Sequence, residues 1–562
     1  MSKINVFSLG GQDEIGRNCS IIEIDDKIYV LNCGIEIPPT VMLGVKKLIP
    51  DYTWLQKNKA RIVGIFLGNP SYENFGSLQY LLGGIKEITI YASLLGKEII
   101  QSWINKNAKL LNNAKVNVVG LTPLKKYPIE NVNVTAFQTS SSMFGSVGWV
   151  FGTQDGNIVY LDDFIVSHDR NRLFESNLDS LRDITNNKKN LLLLVGVNNT
   201  GNPGFTIPKN KTKNFYEKII NSSNDRVFVA CYESNTYSIF TLCRIAKLKK
   251  RPIIFYSDNF ISLFNIAVNN KLFDNQHLLT FPTSKINVTK NAIVAITSNP
   301  FGLYSKLTKI ISDEDEKIIF NENDTFVLGI QTLAGKEGME AKIIDEIARL
   351  NVQYKRLPRD ILPMKASDED QKFLINLLKP NYIVPIGGLY KDFCKYSFAA
   401  YQTGFAKNNI KILYNGEILT FNSGKLEKKL TTMEIEPKCI DSGGMQDIGS
   451  NIIFERNQMS ENGAVIIVMY FDTKNGKFYK NVCHKSVGVT ENKVRNQEIE
   501  EKVNAFLTKK MAELESFYKE NGKQQFSLEI KKTKTVLRNM ISKIYAKVCE
   551  KKPVILPSII EL

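Results

Sequence analysis

Between roughly residues 209 and 355 the sequence alternates helical and strand segments with a regularity that few architectures accept. NFYEKIINSS, YSIFTLCRIAKLKK and NFISLFNIAVN carry helical spacing, while RVFVACY, RPIIFYS and NAIVAITS are short apolar, β-branched runs. Strands separated by helices of this length cannot pair as hairpins. They read as a doubly wound parallel sheet with helices on its faces.

The flanking sequence has a different texture. KINVFSL, SIIEI and KIYVLNC are separated by Gly, Asn and Asp-Asp turns, the pattern of an antiparallel sheet. RIVGIFL then runs into the loop GNPSYENFG before the helix-like SLQYLLGGI, and ITIYAS precedes the helical LLGKEIIQSWINKNAK. After 355, RDILPM, EDQKFLINLLK and NYIVPIGG read as strand, helix and strand, and NIKILYNGEIL as a closing strand. The last part reads as strands NIIFER and AVIIVMYF, a long charged helix EEKVNAFLTKKMAELESFYKE, and a second helix from about 528 to 549. At 562 residues several cores are expected. The expected division is 1–208 and 356–430 as two parts of one α/β layered domain, 209–355 inserted between them, a linker at 431–450, and a C-terminal domain at 451–562.

With 43% hydrophobic and 23% charged residues the composition is that of a globular chain, which excludes a disordered one. No apolar run reaches the ~18–20 residues of a membrane span, and MSKINVFSLGG lacks a signal-peptide core, so a cytoplasmic protein without membrane association is expected. A formal charge of +16 favours polyanionic partners, chiefly nucleic acid, although a Lys-rich surface alone would give the same number. The eight cysteines are scattered without a Cys-x-x-Cys pair, giving neither a disulfide framework nor a thiolate zinc site. Only three histidines occur, His168, His277 and His484, and none has ligand spacing to another.

The opening FSLGGQDEIGRNCSIIEIDDKIYVLNCGIEIP, with MLGVKKLIPDYTWL, GNIVYLDDF, NPGFTIP, KPNYIVPIGGLYK, GGMQDIGSNIIFER and KKPVILPSIIEL, resembles bacterial ribonuclease J, block after block in one order from end to end. The resemblance implies a metallo-β-lactamase αββα sandwich interrupted by a β-CASP domain and followed by a small α/β C-terminal domain. It also implies a hydrolase that uses two divalent metals, zinc or manganese, held by a Thr-His-x-His-x-Asp-His loop and further His and Asp ligands.

The ligand positions of that family are the ones that differ. Gly68-Asn69-Pro70-Ser71-Tyr72-Glu73-Asn74 stands at the His-rich loop, so three imidazoles become Asn69, Ser71 and Asn74, and the Asp becomes Glu73. Pro70 also fixes φ and removes a donor. Further His positions fall on Ser141, Lys365 and Gly387, and an early Asp falls on Asn32. Asp163, the bridging carboxylate of the family, is retained. Amides and hydroxyls substitute poorly for imidazole, so no metal is expected and these positions are read as degenerate rather than catalytic. Other readings weigh less: an oxygen-only Mg²⁺ or Mn²⁺ site from Asp162, Asp163 and Glu73, an acid–base role for His168 near Arg170, and a nucleophile among Ser140, Ser141 and Ser142. Asp162 is expected to be solvated, Asp163 to be held by backbone amides or by Lys365, and the three serines to cap their loop. Lys365, on a long flexible stem, is expected within salt-bridge distance of Asp163.

For RNA, the resemblance points to Ser234 and Asn235 in the β-CASP part, and to Lys365, Ser367 and Arg359, with charge from Tyr354-Lys355-Arg356. Lys247, Lys249, Lys250 and Arg251, and Lys531, Lys532 and Lys534, read as solvated helix ends. The expected function is an inactive, RNA-binding or scaffolding subunit. Its partners would be single-stranded RNA and either a second copy or an active ribonuclease J paralogue, in RNA processing and decay. The alternative is an active 5′ exo- or endoribonuclease with an altered metal site.

Overall fold

The computed structural model describes all residues except 1, 40–41, 112–113, 168–170, 207, 258, 359–360, 362–364 and 442–448, together with the side chains of 208–210 and 450. His168, Arg170 and Arg359, and most of RDILPM, therefore lie outside the described residues. The chain forms two compact units, one of residues 1–40 and 47–438, the other of 41–46 and 439–562.

The first unit is built on two facing sheets. One runs in space Lys425–Leu426, Glu417–Asn422, Lys3–Gly10, Cys19–Ile24, Lys27–Leu31, Ile62–Phe66, Glu87–Ser93, Lys115–Leu121. The antiparallel start expected from the short turns is present, and the late strand Glu417–Asn422 pairs with the first, Ile4 opposite Phe421. The second sheet runs Tyr382–Ile386, Asn190–Gly196, Asn157–Leu161, Val147–Gly152, Val132–Gln138, Lys126–Ile129. Residues after 355 thus complete both sheets begun before 208.

The sheets meet through alternate side chains, as the two-residue strand period requires. Phe66 packs edge-on against Trp149 with ring centroids 5.4 Å apart, and Tyr29 against Phe151 at 5.6 Å. Helices Asp368–Leu378 and Tyr390–Gln402 cover the outer face of the second sheet with Leu374, Phe393 and Tyr396. On the other side, Trp54 packs on Phe7. This is the expected αββα sandwich.

Its insertion is a sheet of six parallel strands, in the order Thr280–Phe281, Ile253–Ser257, Ile293–Ser298, Val227–Tyr232, Thr325–Leu328, Gln353–Arg356, with an apolar core on each face.

In the second unit Ala464–Asp472 pairs parallel with Val554–Glu561 and antiparallel with Cys483–Val487 and Lys477–Phe478. Helical residues Lys493–Cys549 cover one face. Two expected strands differ. NIIFER lies in the helix Ser450–Asn462. Its apolar triplet is too short to establish a two-residue period, and in the helix Ile452 and Phe454 are exposed while Ile453, Arg456, Asn457 and Gln458 are partly buried. NIKILYNGEIL forms a strand only over Glu417–Asn422. Its first half makes a single bridge, Ile410 to Ile383, before Gly416 turns the chain at φ +84°.

Candidate functional site

Loops at the carboxyl ends of the sandwich strands bring most of the degenerate positions to one place. Strand Ile62–Phe66 delivers Gly68 to Asn74, strand Asn157–Leu161 delivers Asp162 and Asp163, and strand Tyr382–Ile386 delivers Gly387. Such an end of an α/β sheet is where ligand sites form.

Asp163 is held from two sides. Lys365 Nζ lies 3.3 Å from Oδ1, the ion pair expected from charge, and Asn69 Nδ2 donates to Oδ2 at 3.2 Å. The partners are side chains, not backbone amides. Burial by itself would depress the Lys365 ammonium, but Asp163 and then Asp162 raise it above the usual lysine value.

Asp162 is not solvated as expected: it is 7% exposed. Asn32 Nδ2 donates to its Oδ2 at 2.8 Å and also reaches the Tyr160 hydroxyl at 2.8 Å. Asn18 Nδ2 donates to Oδ1 at 3.4 Å. Burial, and next the neighbouring Asp163, push the Asp162 carboxyl up to about 7, so it is held in large part as the neutral acid near neutral pH. The space is also tight. A cavity of about 10 Å³ among Asn18, Asp162, Asp163, Lys365 and Gly387 has room for about one water molecule. A Cβ at Gly387, where φ is +64°, would lie 3.6 Å from Asp162 Oδ1, so the carboxyl stands beside the space a side chain at 387 would need.

The other positions are satisfied locally. Asn69 Oδ1 accepts from Ser71 N at 3.0 Å, and Asn74 Nδ2 donates to Ser71 Oγ at 3.4 Å. Ser141 Oγ lies 2.8 Å from Ser146 Oγ and accepts from Met143 N at 3.3 Å, the loop-capping role expected of it. Glu73 accepts from Ser234 Oγ at 2.8 Å, and burial raises its carboxyl. Asn18 is the member for which the sequence carried no signal, and Asp162 is the one expected in solvent; the bonds that hold Asp162 span 130 and 144 residues of sequence.

The candidate RNA contacts are also spent on the fold. Asn235 Oδ1 accepts from Ser238 N at 3.2 Å, capping helix Thr236–Lys249. Ser367, 6% exposed, has Oγ 2.6 Å from Thr206 Oγ1, and its amide donates to Asp370 at 2.9 Å. Arg356 pairs with Glu340 at 2.5 Å. Arg251, expected to be solvated, is 8% exposed and donates to the carbonyls of Asn291, Ile220, Ser223 and Asp225.

His277 is exposed, and His484 Nε2 lies 2.9 Å from the Tyr545 hydroxyl in the second unit. Among the described residues no group of three His, Cys, Asp or Glu side chains is placed to hold a metal ion, and no helix is long and apolar enough to cross a membrane. Beside this cluster, a cleft of about 300 Å³ opens between the sandwich and the insertion, lined by Ser71, Tyr72, Glu73, Trp103, Lys106 and Ser234.

Residues 451–562 match the ribonuclease J C-terminal domain family. Over its full length the chain is 43% identical to the uncharacterized protein MG423 of Mycoplasma genitalium, with all of both chains covered. It is 27% identical to ribonuclease J 2 of Staphylococcus aureus (strain NCTC 8325 / PS 47), covering 100% of this chain and 98% of that one. A solved structure of a protein of unknown function from Enterococcus faecalis V583 shares the fold, with TM-score 0.52 and 14% identity, covering 75% of this chain and 100% of that one.

Proposed function

The chain belongs to the ribonuclease J family, and from that premise we propose that it is a catalytically inactive member that binds single-stranded RNA and pairs with an active ribonuclease J. The observation that carries the loss of activity is the Lys365 ammonium, 3.3 Å from the one family ligand that survives. A cation already occupies the electrostatic place of the metal. The Asn69 amide aims a donor at the other oxygen of Asp163, where a metal ligand would need a free lone pair. Most other groups at those positions are amides and hydroxyls, which divalent zinc or manganese bind weakly, and the Glu73 and Asp162 carboxylates already accept from Ser234 and from Asn32. These residues do not fit two metal ions.

The RNA reading rests on the family and on the +16 charge. Metal analysis together with nuclease assays tests the proposal, on the protein alone and mixed with a catalytic paralogue. Substoichiometric metal and no cleavage by the chain alone are expected, with all cleavage in the mixture lost when the paralogue's ligands are removed. Cleavage by this chain alone that disappears in Asp163→Ala would overturn the reading.

A further inference from the structure

Helix Tyr390–Gln402 presents to solvent a face that packing does not explain. Its inner side, Phe393, Tyr396, Ala399 and Ala400, is buried on the sandwich. Its outer side shows Tyr390, Phe398 and Tyr401, which are 46%, 65% and 64% exposed. At about 100° per residue, Tyr390, Tyr401 and Phe398 share an arc of about 80°, and Lys391 and Lys395 lie on the adjoining arc.

Tyr414, 52% exposed, extends the face: its ring is parallel to that of Tyr390 within 4°, with centroids 6.4 Å apart. The backbone of each tyrosine is tethered by a neighbouring carboxylate. Tyr390 N donates to Asp13 Oδ1 at 2.8 Å, and Tyr414 N to Glu417 Oε2 at 2.9 Å. The helix's one acidic residue, Asp392, is 5% exposed and turned to the Leu389 amide, so the exposed helical face carries lysine and no carboxylate. Lys407 adds a further exposed cation in the following turn.

Large exposed aromatics are the informative exception on a protein surface. A protein partner would favour an apolar centre depleted in lysine. Aromatic planes interleaved with lysines instead match a strand of alternating bases and phosphates, with stacking on the rings and the phosphates beside the ammonium groups.

From this juxtaposition we infer that the Tyr390, Phe398, Tyr401 and Tyr414 face is a stacking platform for single-stranded nucleic acid, with Lys391 and Lys395 for its phosphates. The inference rests on the proposed RNA-binding function and gives it a location, which the internally bonded Ser234, Asn235 and Ser367 do not offer.

The test is fluorescence anisotropy of a labelled 20-nucleotide oligouridylate with the full chain, the Tyr390→Ala/Tyr414→Ala variant and the Tyr390→Phe/Tyr414→Phe variant. About tenfold or more weaker binding by the alanine pair, with the phenylalanine pair close to the parent, is expected, because stacking needs the ring and not the hydroxyl. Crosslinking of the unmodified chain to 4-thiouridine RNA, followed by peptide mapping, should place adducts within 390–414 and gives a readout independent of how the variants fold. Parent-like binding by the alanine pair, with adducts elsewhere, overturns the platform and leaves RNA binding standing. No binding by the parent at moderate salt overturns RNA binding and the platform together. Unchanged RNA binding with a lost oligomer in light scattering identifies the face as a protein interface and overturns the platform.

Discussion

A carboxylate in the position of Asp163, whose side chain is 14% exposed, needs a cation beside it whatever the source, because burial without compensation is costly. Lys365 supplies that charge. Its own side chain is 38% exposed, so solvent screens part of the pair. Lys365→Met should therefore lower the unfolding free energy by about 1–2 kcal/mol, less than the cost of breaking a fully buried pair. Adding Asp163→Asn should recover most of that loss. Tryptophan fluorescence in urea reads this unit alone, since Trp54, Trp103 and Trp149 all lie in it. Asp162 gives the pH dependence. Its folded carboxyl titrates near about 7 and an unfolded aspartate near ~4, so between those values the folded chain holds the extra proton. This group's contribution to stability is thus complete below pH ~4 and is lost as the pH rises to about 7. Asp162→Asn should flatten that decline, and urea midpoints of parent and variant at pH 5 and pH 8 measure it. A side chain at 387 meets the same crowding: Gly387→His should not bind metal and should destabilise, because φ is +64° and the cavity is about 10 Å³.

Among the elements, the helical stretch Lys493–Cys549 shows how one residue sets a layer. Gly522, at φ 73° and ψ 179°, breaks it. The break lets Leu507 and Leu514 before it, and Phe526 and Leu537 after it, enter the same core with Phe471. That backbone region is essentially closed to other residues. Gly522→Ala should cost about 1–3 kcal/mol through strain alone, since a Cβ there meets nothing within 4 Å. Hydrogen exchange should speed up in peptides from 493–549 while the sandwich strands stay protected.

For the whole molecule, the proposed role requires association. A homodimer, or a heteromer with an active paralogue, should bury more than roughly 1,000 Å² with an apolar centre. Light scattering of the chain alone and in the mixture tests this, and a monomer in both would remove the scaffold role. RNA affinity should fall steeply between low and moderate salt, as counterion release requires.

What the sequence determined by itself was local or collinear. Strand and helix periods gave the parallel insertion, short turns gave the antiparallel start, and the ordered blocks gave the family, because each is carried by near neighbours in the chain or by order alone. The resemblance also put Asn69, Ser71 and Asn74 where the family has imidazoles, and the placing of Lys365 at another such position, with the charge left on Asp163, pointed to their ion pair. NIIFER was misread because three apolar residues do not establish a period. The tertiary structure decided which polar groups remain available. Asp162 is drawn into the centre by Asn18 and Asn32, and Arg251 is consumed by four carbonyls. The Ser367 hydroxyl is taken up by Thr206, while Tyr390 and Tyr414, 24 residues apart in sequence, come into register as one surface. A polar side chain's role depends on whether the fold brings it a partner, and partners such as Thr206 for Ser367 and Lys365 for Asp163 lie far away in the chain, beyond the reach of any local pattern.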